Sequence, residues 1–222
     1  MTQAKLITAQ SVLGFAKPDI PQNLIDAFSL SMVWAQAVAT KSAESPGSEL
    51  YFSELTQELS RIWWIVEDAT NSTFTSDGAN NSAAASIGSI AKPYVGADRS
   101  TELTKILSGF GDPSPSPTIA QMLTTWWASQ SQDVSSTSFS VCPLTIDANG
   151  QLNARLFFLD FDVARSGWQS FFLVHHDQKI SVNVSSVDLA LQAKPWASIR
   201  DKIAAKLGAS ARNYIRQLDI SF

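Results

Sequence analysis

The sequence of 222 residues contains one cysteine, Cys142, and two histidines, the adjacent His175 and His176. A single cysteine excludes an internal disulfide and a cysteine-based zinc cage. Charged residues make up only 16% of the chain, below the usual quarter of a globular protein. The net charge of -4 argues against binding to a nucleic-acid backbone, because such binding depends on clustered Lys and Arg. We therefore expect no nucleic-acid partner.

Long apolar runs are also missing. No stretch approaches the roughly 20 residues that a transmembrane helix needs. The first residues, MTQAKLITAQSVLGFAKPDIP, lack the basic-then-apolar layout of a secretory signal. We expect a chain that is synthesised in soluble form without a signal peptide and, if it acts on other cells, is released or exported by a non-classical route.

Apolar residues at helical spacing dominate the first half of the chain. We read residues 1–222 as one domain that begins with a helical hairpin at about 21–68, interrupted by SAESPGS. Residues 70–100 are small and polar, which predicts a mostly irregular segment. Helices are predicted at about 100–130, with Ser100 as a candidate N-cap, and at about 195–218, with a break near Gly208.

From Ser135 onward the apolar period changes to two residues, which is typical of β-strands. Four strands are predicted within about 135–191, at 137–146, 154–163, 168–177 and 179–189. The Asn-Gly pair in DANGQ and the short connections RSG and HDQK indicate tight reversals. Short loops require antiparallel neighbours, so these strands predict an antiparallel meander in an α+β protein.

No catalytic constellation and no metal site emerge from these patterns. Successive strand residues point to opposite faces, so His175 and His176 cannot readily bind one metal ion. Asp160 and Asp162 share one strand face, where we interpret them as solvent-facing while Phe157 and its alternate neighbours face the core. Cys142 precedes Pro143 within a strand, and we interpret it as a buried thiol without a nearby base. We expect no cofactor and no enzymatic activity.

Three stretches together resemble a known family: DIPQNLIDAFSLSMVWAQAV, TTWWASQ followed by FSVCPLTI, and FFLVHHDQKISVNVSSVDLAL. Their order along the chain and their patterns of residue types resemble those of proteins with the cytolytic delta-endotoxin (Cyt) fold, which volvatoxin and the Evf virulence factor share. The resemblance implies a single-domain, three-layer α/β/α sandwich in which amphipathic helical hairpins flank a central antiparallel sheet. It also implies a soluble monomer that binds the lipid bilayer of a target cell, moves its helices away, self-associates and permeabilises the membrane.

The predicted strands can be compared with that implied activity. A membrane-crossing strand needs about 9–11 residues, and all four predicted strands reach that length. In a membrane, alternate residues of such a strand face lipid and water. The candidate membrane-insertion residues are Phe157, Leu159, Phe161, Val163, Phe171, Leu173, Ile180, Val182 and Val184.

Two alternatives remain open at the level of sequence. One is an Evf-like protein in which Cys142 carries or transfers a fatty acyl group. The other is a non-toxic module that binds a lipid between sheet and helices. In either case the candidate lipid or acylation contacts are Cys142, Trp126 and Trp127.

Overall fold

The computed structural model describes residues 3–42, 49–75, 82–111, 114–128, 131–132, 137–161, 168–172 and 181–221. Helices and strands alternate irregularly along the chain. The strands are β1 Gln3–Ala9, β2 Val12–Ala16, β3 Trp64–Thr75, β4 Ser131–Gln132, β5 Thr137–Ile146, β6 Leu152–Phe161, β7 Ser181–Leu191 and β8 Ile215–Ser221. The helices are α1 Gln22–Ser42, α2 Glu49–Arg61, α3 Ala83–Val95, α4 Ala97–Gly109, α5 Pro117–Ala128, α6 Trp168–Phe172 and α7 Ala193–Tyr214.

The strands form one eight-stranded sheet in the order β3-β7-β6-β5-β2-β1-β8, with β4 paired to β5 outside that path. The pairs β3–β7, β6–β7, β5–β6 and β1–β2 are antiparallel. The tight reversal predicted at DANGQ is confirmed, since it joins β5 to β6. The β2–β5 pair is parallel, because the long helical segment between these strands lets the chain return in the same direction.

Helices cover both faces of the sheet, and each cover has its own apolar cluster. Helices α1, α2 and α7 pack on one face, here called the front face. Helices α3, α4, α5 and α6 pack on the opposite face, here called the back face. The protein is therefore a three-layer α/β/α sandwich with a mostly antiparallel central sheet, as expected.

The first helical hairpin ends earlier than predicted. Phe52, Leu55 and Leu59 form a buried stripe on α2, but the helix stops at Arg61. Trp63 has a positive φ of 74°, which breaks the helical path, and the chain continues as strand β3. The prediction of helix up to residue 68 was therefore wrong there, because WIVEDATNSTFT is rich in β-branched and aromatic residues that favour a strand.

The segment 70–100 is more regular than predicted. It contains the rest of β3, helix α3 and the start of α4. Ser82 is the N-cap of α3, since its side chain accepts a hydrogen bond from the backbone N–H of Ala85. The predicted N-cap role of Ser100 was wrong: Ser100 lies inside α4, and its hydroxyl donates to the carbonyl of Gly88 over 2.7 Å.

The prediction of a strand at 168–177 was wrong for residues 168–172, which form helix α6. Trp168, Phe171 and Phe172 are all buried there, because α6 lies among aromatic side chains on several sides. The final helix was predicted to run to about residue 218, but it ends at Tyr214 and strand β8 follows; the break at Gly208 is confirmed by its φ of 65°.

Several candidate positions lie outside the described residues. These are Asp162, Val163, Leu173, His175, His176 and Ile180.

Candidate functional site

Strand β7 changes its buried face halfway along its length. Val182 and Val184 pack into the back cluster, whereas Asn183 between them is exposed. Beyond Ser186 the pattern reverses, and Val187 and Leu189 pack into the front cluster. Because successive strand residues point to opposite faces, the two helical layers must each cover a different half of this part of the sheet.

The back face of the first half, here called the apolar half-face, contains most of the candidate insertion residues. It runs across three neighbouring strands, which the register places side by side: Leu159 pairs with both Phe139 and Val184. The candidate residues that the structure brings together in this one cluster are Phe157, Leu159, Phe161, Phe171, Val182 and Val184. Phe171 belongs to α6 and not to a strand, so its assignment as an insertion-strand residue was wrong.

Aromatic rings hold the helices α5 and α6 on this apolar half-face. The Trp126 ring centroid lies 5.6 Å from that of Phe139 in β5 and 6.4 Å from that of Phe172 in α6. Phe171 contacts Phe139 and Phe161 edge to face, each at 4.9 Å between centroids. Trp127 lies 5.5 Å from Phe171. The two tryptophans singled out from the sequence therefore form part of the cover over the candidate residues.

The front face of the same half is polar, in two successive rows across four strands. In one row Ser138, Asp160, Asn183 and Thr73 are register partners from strand to strand. Ser138 donates to Asp160 Oδ1 over 2.7 Å, and Thr73 donates to Asn183 Oδ1 over 3.1 Å. The interpretation of Asp160 as lying on the face opposite Phe157 is consistent with this arrangement.

The second row lies two residues further along each strand. It consists of Ser140, Phe158, Ser185 and Asn71. Together the two sets are here called the polar rows. A groove of about 500 Å³ runs over their members in β3, β7 and β6. No sequence argument found this site, because it combines four strands whose register a single sequence does not reveal.

Cys142 lies on the front face near α1 and is fully buried. Desolvation raises the pKa of its thiol well above the ordinary value, so the thiolate is strongly disfavoured. Its neighbour in the parallel strand is Gly14. The Phe28 ring occupies the space that a side chain at position 14 would need. Cys142 is therefore separated from Trp126 and Trp127, which lie under the other face, and the three do not form one lipid contact.

The second half of the back face holds an ion pair. Arg155 in β6 donates to Asp188 in β7 and, over 2.9 Å, to the hydroxyl of Ser186. The Arg155 side chain is 7% exposed and that of Asp188 is 45% exposed. Arg155 also lies 5.9 Å above the Phe157 ring. These contacts mark the edge of the apolar half-face.

The described residues contain no group of three His, Cys, Asp or Glu side chains placed to hold a metal ion. Within the same part of the chain, none of the helices combines the length and the apolar character that a membrane span requires.

Comparisons with known proteins return matches only among solved structures: no family model and no curated protein matches the chain. One match is a delta-endotoxin, with a TM-score of 0.45 and 11% identity over 82% of this chain and 81% of that chain. Another is the activated Cyt2Ba monomer from Bacillus thuringiensis subsp. israelensis, with a TM-score of 0.40 and 11% identity over 83% of this chain and 98% of that one. A third is the Evf virulence factor, with a TM-score of 0.38 and 13% identity over 90% and 76% of the two chains.

These are the kinds of protein that the sequence resembles, and the α/β/α layering that the resemblance implies is the one that the described residues form. With TM-scores below 0.5 and identities of 11–13%, the similarity carries no information on activity.

Proposed function

We propose that this chain is a membrane-active protein that permeabilises lipid bilayers without catalysing a reaction. The observation that carries the proposal is the two-sided character of one half of the sheet. Its back face is apolar and is covered by helices, whereas its front face carries the polar rows. A membrane-crossing sheet needs one lipid-facing and one water-facing side, because its strands alternate between the two.

The transition would require removal of one helical layer only. Helices α3, α4, α5 and α6 cover the apolar half-face, so their departure would expose Phe157, Leu159, Phe161, Val182 and Val184 to lipid. The front layer of α1, α2 and α7 packs on the opposite face of the sheet, where Val187 and Leu189 are buried, and could remain in place. Unpaired strand edges are unfavourable in hydrocarbon, so insertion would also require closure through self-association of several copies.

The length of the surface sets a further requirement. Residues 157–161 and 181–186 span about 17–20 Å at roughly 3.3 Å per residue, whereas the hydrocarbon core is about 30 Å thick. The lipid-facing surface would therefore have to extend beyond Phe161 and before Ser181. The sequence positions Val163 and Ile180, which were expected to face lipid, lie in those directions along the chain.

A tether between the back layer and the sheet tests the proposal directly. Arg99 in α4 and Thr145 in β5 line the same two surface clefts, so cysteines at both positions can be bridged by a short bis-methanethiosulfonate reagent, which forms a disulfide with each cysteine as methanesulfinate leaves and which a reducing agent cleaves. We expect the unbridged protein to release dye from lipid vesicles, the bridged protein to release none, and cleavage of the linker to restore release. Single-cysteine variants treated with the same reagent are the controls.

Two outcomes would contradict the proposal. Full dye release by the bridged protein would show that the back layer need not leave the sheet. Vesicle binding without dye release by the unbridged protein would favour a lipid-binding module instead.

Neighbouring residues on opposite faces of β7 provide a second test. Val184 is 4% exposed under the back layer, whereas Ser185 belongs to the polar rows. We expect Val184→Asp to abolish dye release and Ser185→Asp to retain it, because only position 184 would meet lipid. Val184→Thr keeps the side-chain shape and is the variant to use if Val184→Asp does not fold; we expect it to weaken release. Equal release by folded variants at positions 184 and 185 would refute the assignment of faces.

A further inference from the structure

We infer that the polar rows form a binding site for a neutral carbohydrate. This inference does not depend on membrane permeabilisation, because Asn71, Thr73 and Asn183 of these rows are exposed in the soluble protein. The groove over these rows has a volume of about 500 Å³, within the usual range for small-molecule sites. It is lined by residues of three strands, β3, β7 and β6, with β3 at the edge of the sheet.

The lining combines the hydrogen-bonding groups that hydroxyl-rich ligands require. Asn71, Thr73, Asn183 and Ser185 contribute amide and hydroxyl groups, which both donate and accept. Asp160 contributes a carboxylate with room for several acceptor bonds, of which Ser138 uses one on Oδ1. A sugar hydroxyl is itself both donor and acceptor, so this set matches it in either role.

Existing contacts hold these groups in fixed positions. The hydrogen bonds Ser138–Asp160 and Thr73–Asn183 lie in one register row, and they orient the carboxylate and the amide before any ligand arrives. The bond from Thr73 occupies Asn183 Oδ1, which directs the two donors of the Asn183 amide elsewhere. Asn183 and Asn71 are exposed, and Asp160 is half-buried.

One aromatic ring interrupts the polar rows. Phe158 lies in register between Ser140 and Ser185 and lines the groove. The ring of Phe52 in α2 packs against it at 6.1 Å between centroids, which fixes its position. An apolar ring among polar groups suits a ligand with both C–H and O–H surfaces, as a pyranose has.

The charge of the lining selects against other ligands. No Lys, Arg or His is among the described residues of the groove, so an anion would meet the Asp160 carboxylate without a compensating cation. A nucleic acid is disfavoured for the same reason. A single carboxylate is also too few ligands for a divalent cation. The carboxylate would admit an organic cation, but the amide and hydroxyl groups that make up the rest of the polar lining favour an uncharged ligand rich in hydroxyls.

Binding to an array of neutral and acidic glycans, followed by saturation-transfer NMR with the best neutral glycan, tests this inference in the absence of membranes. We expect a neutral glycan to bind. Asp160→Asn should weaken its binding at least about tenfold, because a hydrogen bond to a charged group is lost, and Asn183→Ala should weaken it severalfold, because the lost hydrogen bond is to a neutral amide. Glu67→Gln is the matched control for charge, because Glu67 is exposed on the back side of the same edge strand, and it should bind like the unmodified protein.

Three results would overturn the inference. They are the absence of binding to every neutral glycan, binding restricted to sialylated or sulfated glycans, and neutral-glycan binding that survives both substitutions in folded protein. Asn183 is exposed, so Asn183→Ala should fold normally, and circular dichroism checks this. Dye release from vesicles without glycans tests the proposed function separately, so either conclusion can fail alone.

Discussion

Removal of the Trp126 ring is the sharpest test of which helical layer moves. Trp126 is 1% exposed and contacts Trp127, Phe139 and Phe172. Truncation of a buried Trp or Phe to alanine usually lowers the free energy of unfolding by about 3–5 kcal/mol. For a chain of this size that corresponds to a decrease in melting temperature of about 6–20 °C.

The consequence for membrane activity follows from where the lost contacts lie. Trp126→Ala weakens the attachment of α5 to the sheet without changing any residue of the apolar half-face. If the back layer must leave before insertion, the lost stabilisation belongs to the soluble state only. We therefore expect Trp126→Ala to release dye from vesicles faster than the unmodified protein, or at lower protein concentration.

Phe28→Ala is the matched control. Phe28 is also fully buried, but it lies in α1 against Gly14 on the front face. Its truncation should lower the free energy of unfolding by a similar amount, about 3–5 kcal/mol. The front layer need not move, so we expect less acceleration of dye release. Stopped-flow dye release and urea unfolding of both variants provide the comparison.

The result that refutes this reasoning is equally specific. If Trp126→Ala and Phe28→Ala accelerate release to the same degree at equal loss of stability, then general destabilisation controls insertion and the back layer has no special role. If Trp126→Ala is less stable yet slower in dye release, the tryptophan itself acts at the membrane.

Three further predictions concern buried polar groups. Burial raises the pKa of Cys142, so its thiol should react with Ellman's reagent only after unfolding; rapid reaction in the native protein would contradict its position under α1. Burial raises the pKa of Tyr51 to about 12, partly offset by hydrogen bonds to Ser11 and Thr40, so stability should be complete below pH 10 and fall by up to about 3 kcal/mol as pH rises from about 10 to 12. Tyr51→Phe should flatten that part of the urea-unfolding profile, and an unchanged slope would exclude Tyr51 as its cause. Asp188→Asn should lower the free energy of unfolding by about 1–3 kcal/mol, because it leaves Arg155 buried without its carboxylate; a urea midpoint equal to that of the unmodified protein would contradict this.

The elements that sequence patterns predicted well are those whose pattern is local. The alternation in TSFSVCPLTI and SVNVSSVDLAL comes from each strand's own two faces, and β5 has the predicted bounds 137–146. The stripe of α2 and the break at Gly208 are local in the same sense. Strands β1 and β2 were missed because they are short, and β2 is stabilised by pairing with β5, which lies more than a hundred residues away.

The aromatic run at 168–172 could not be assigned from its pattern alone. Apolar residues at every position fit both a buried strand and a helix surrounded by other side chains. The contacts of Phe171 and Phe172 with Phe110, which follows α4, and with residues of α5, β5 and β6 decide for a helix, and these contacts are tertiary. The polar rows could not be predicted for a related reason. Ser138 and Asn183 are brought into one row only by the register of β6, which lies between their strands.

The reversal of burial along β7 links the two proposals physically. A strand that is covered on one face in its first half and on the other face in its second half leaves two open corners on opposite sides of the sheet. One corner carries the Arg155–Asp188 pair, which would have to stay out of hydrocarbon because charged groups are costly there. The other carries the polar rows, which can remain in water in the soluble and in the membrane-bound state. A sheet that inserted through its first half would therefore keep both polar corners hydrated, and a carbohydrate held on the polar rows would not have to be released for insertion to proceed.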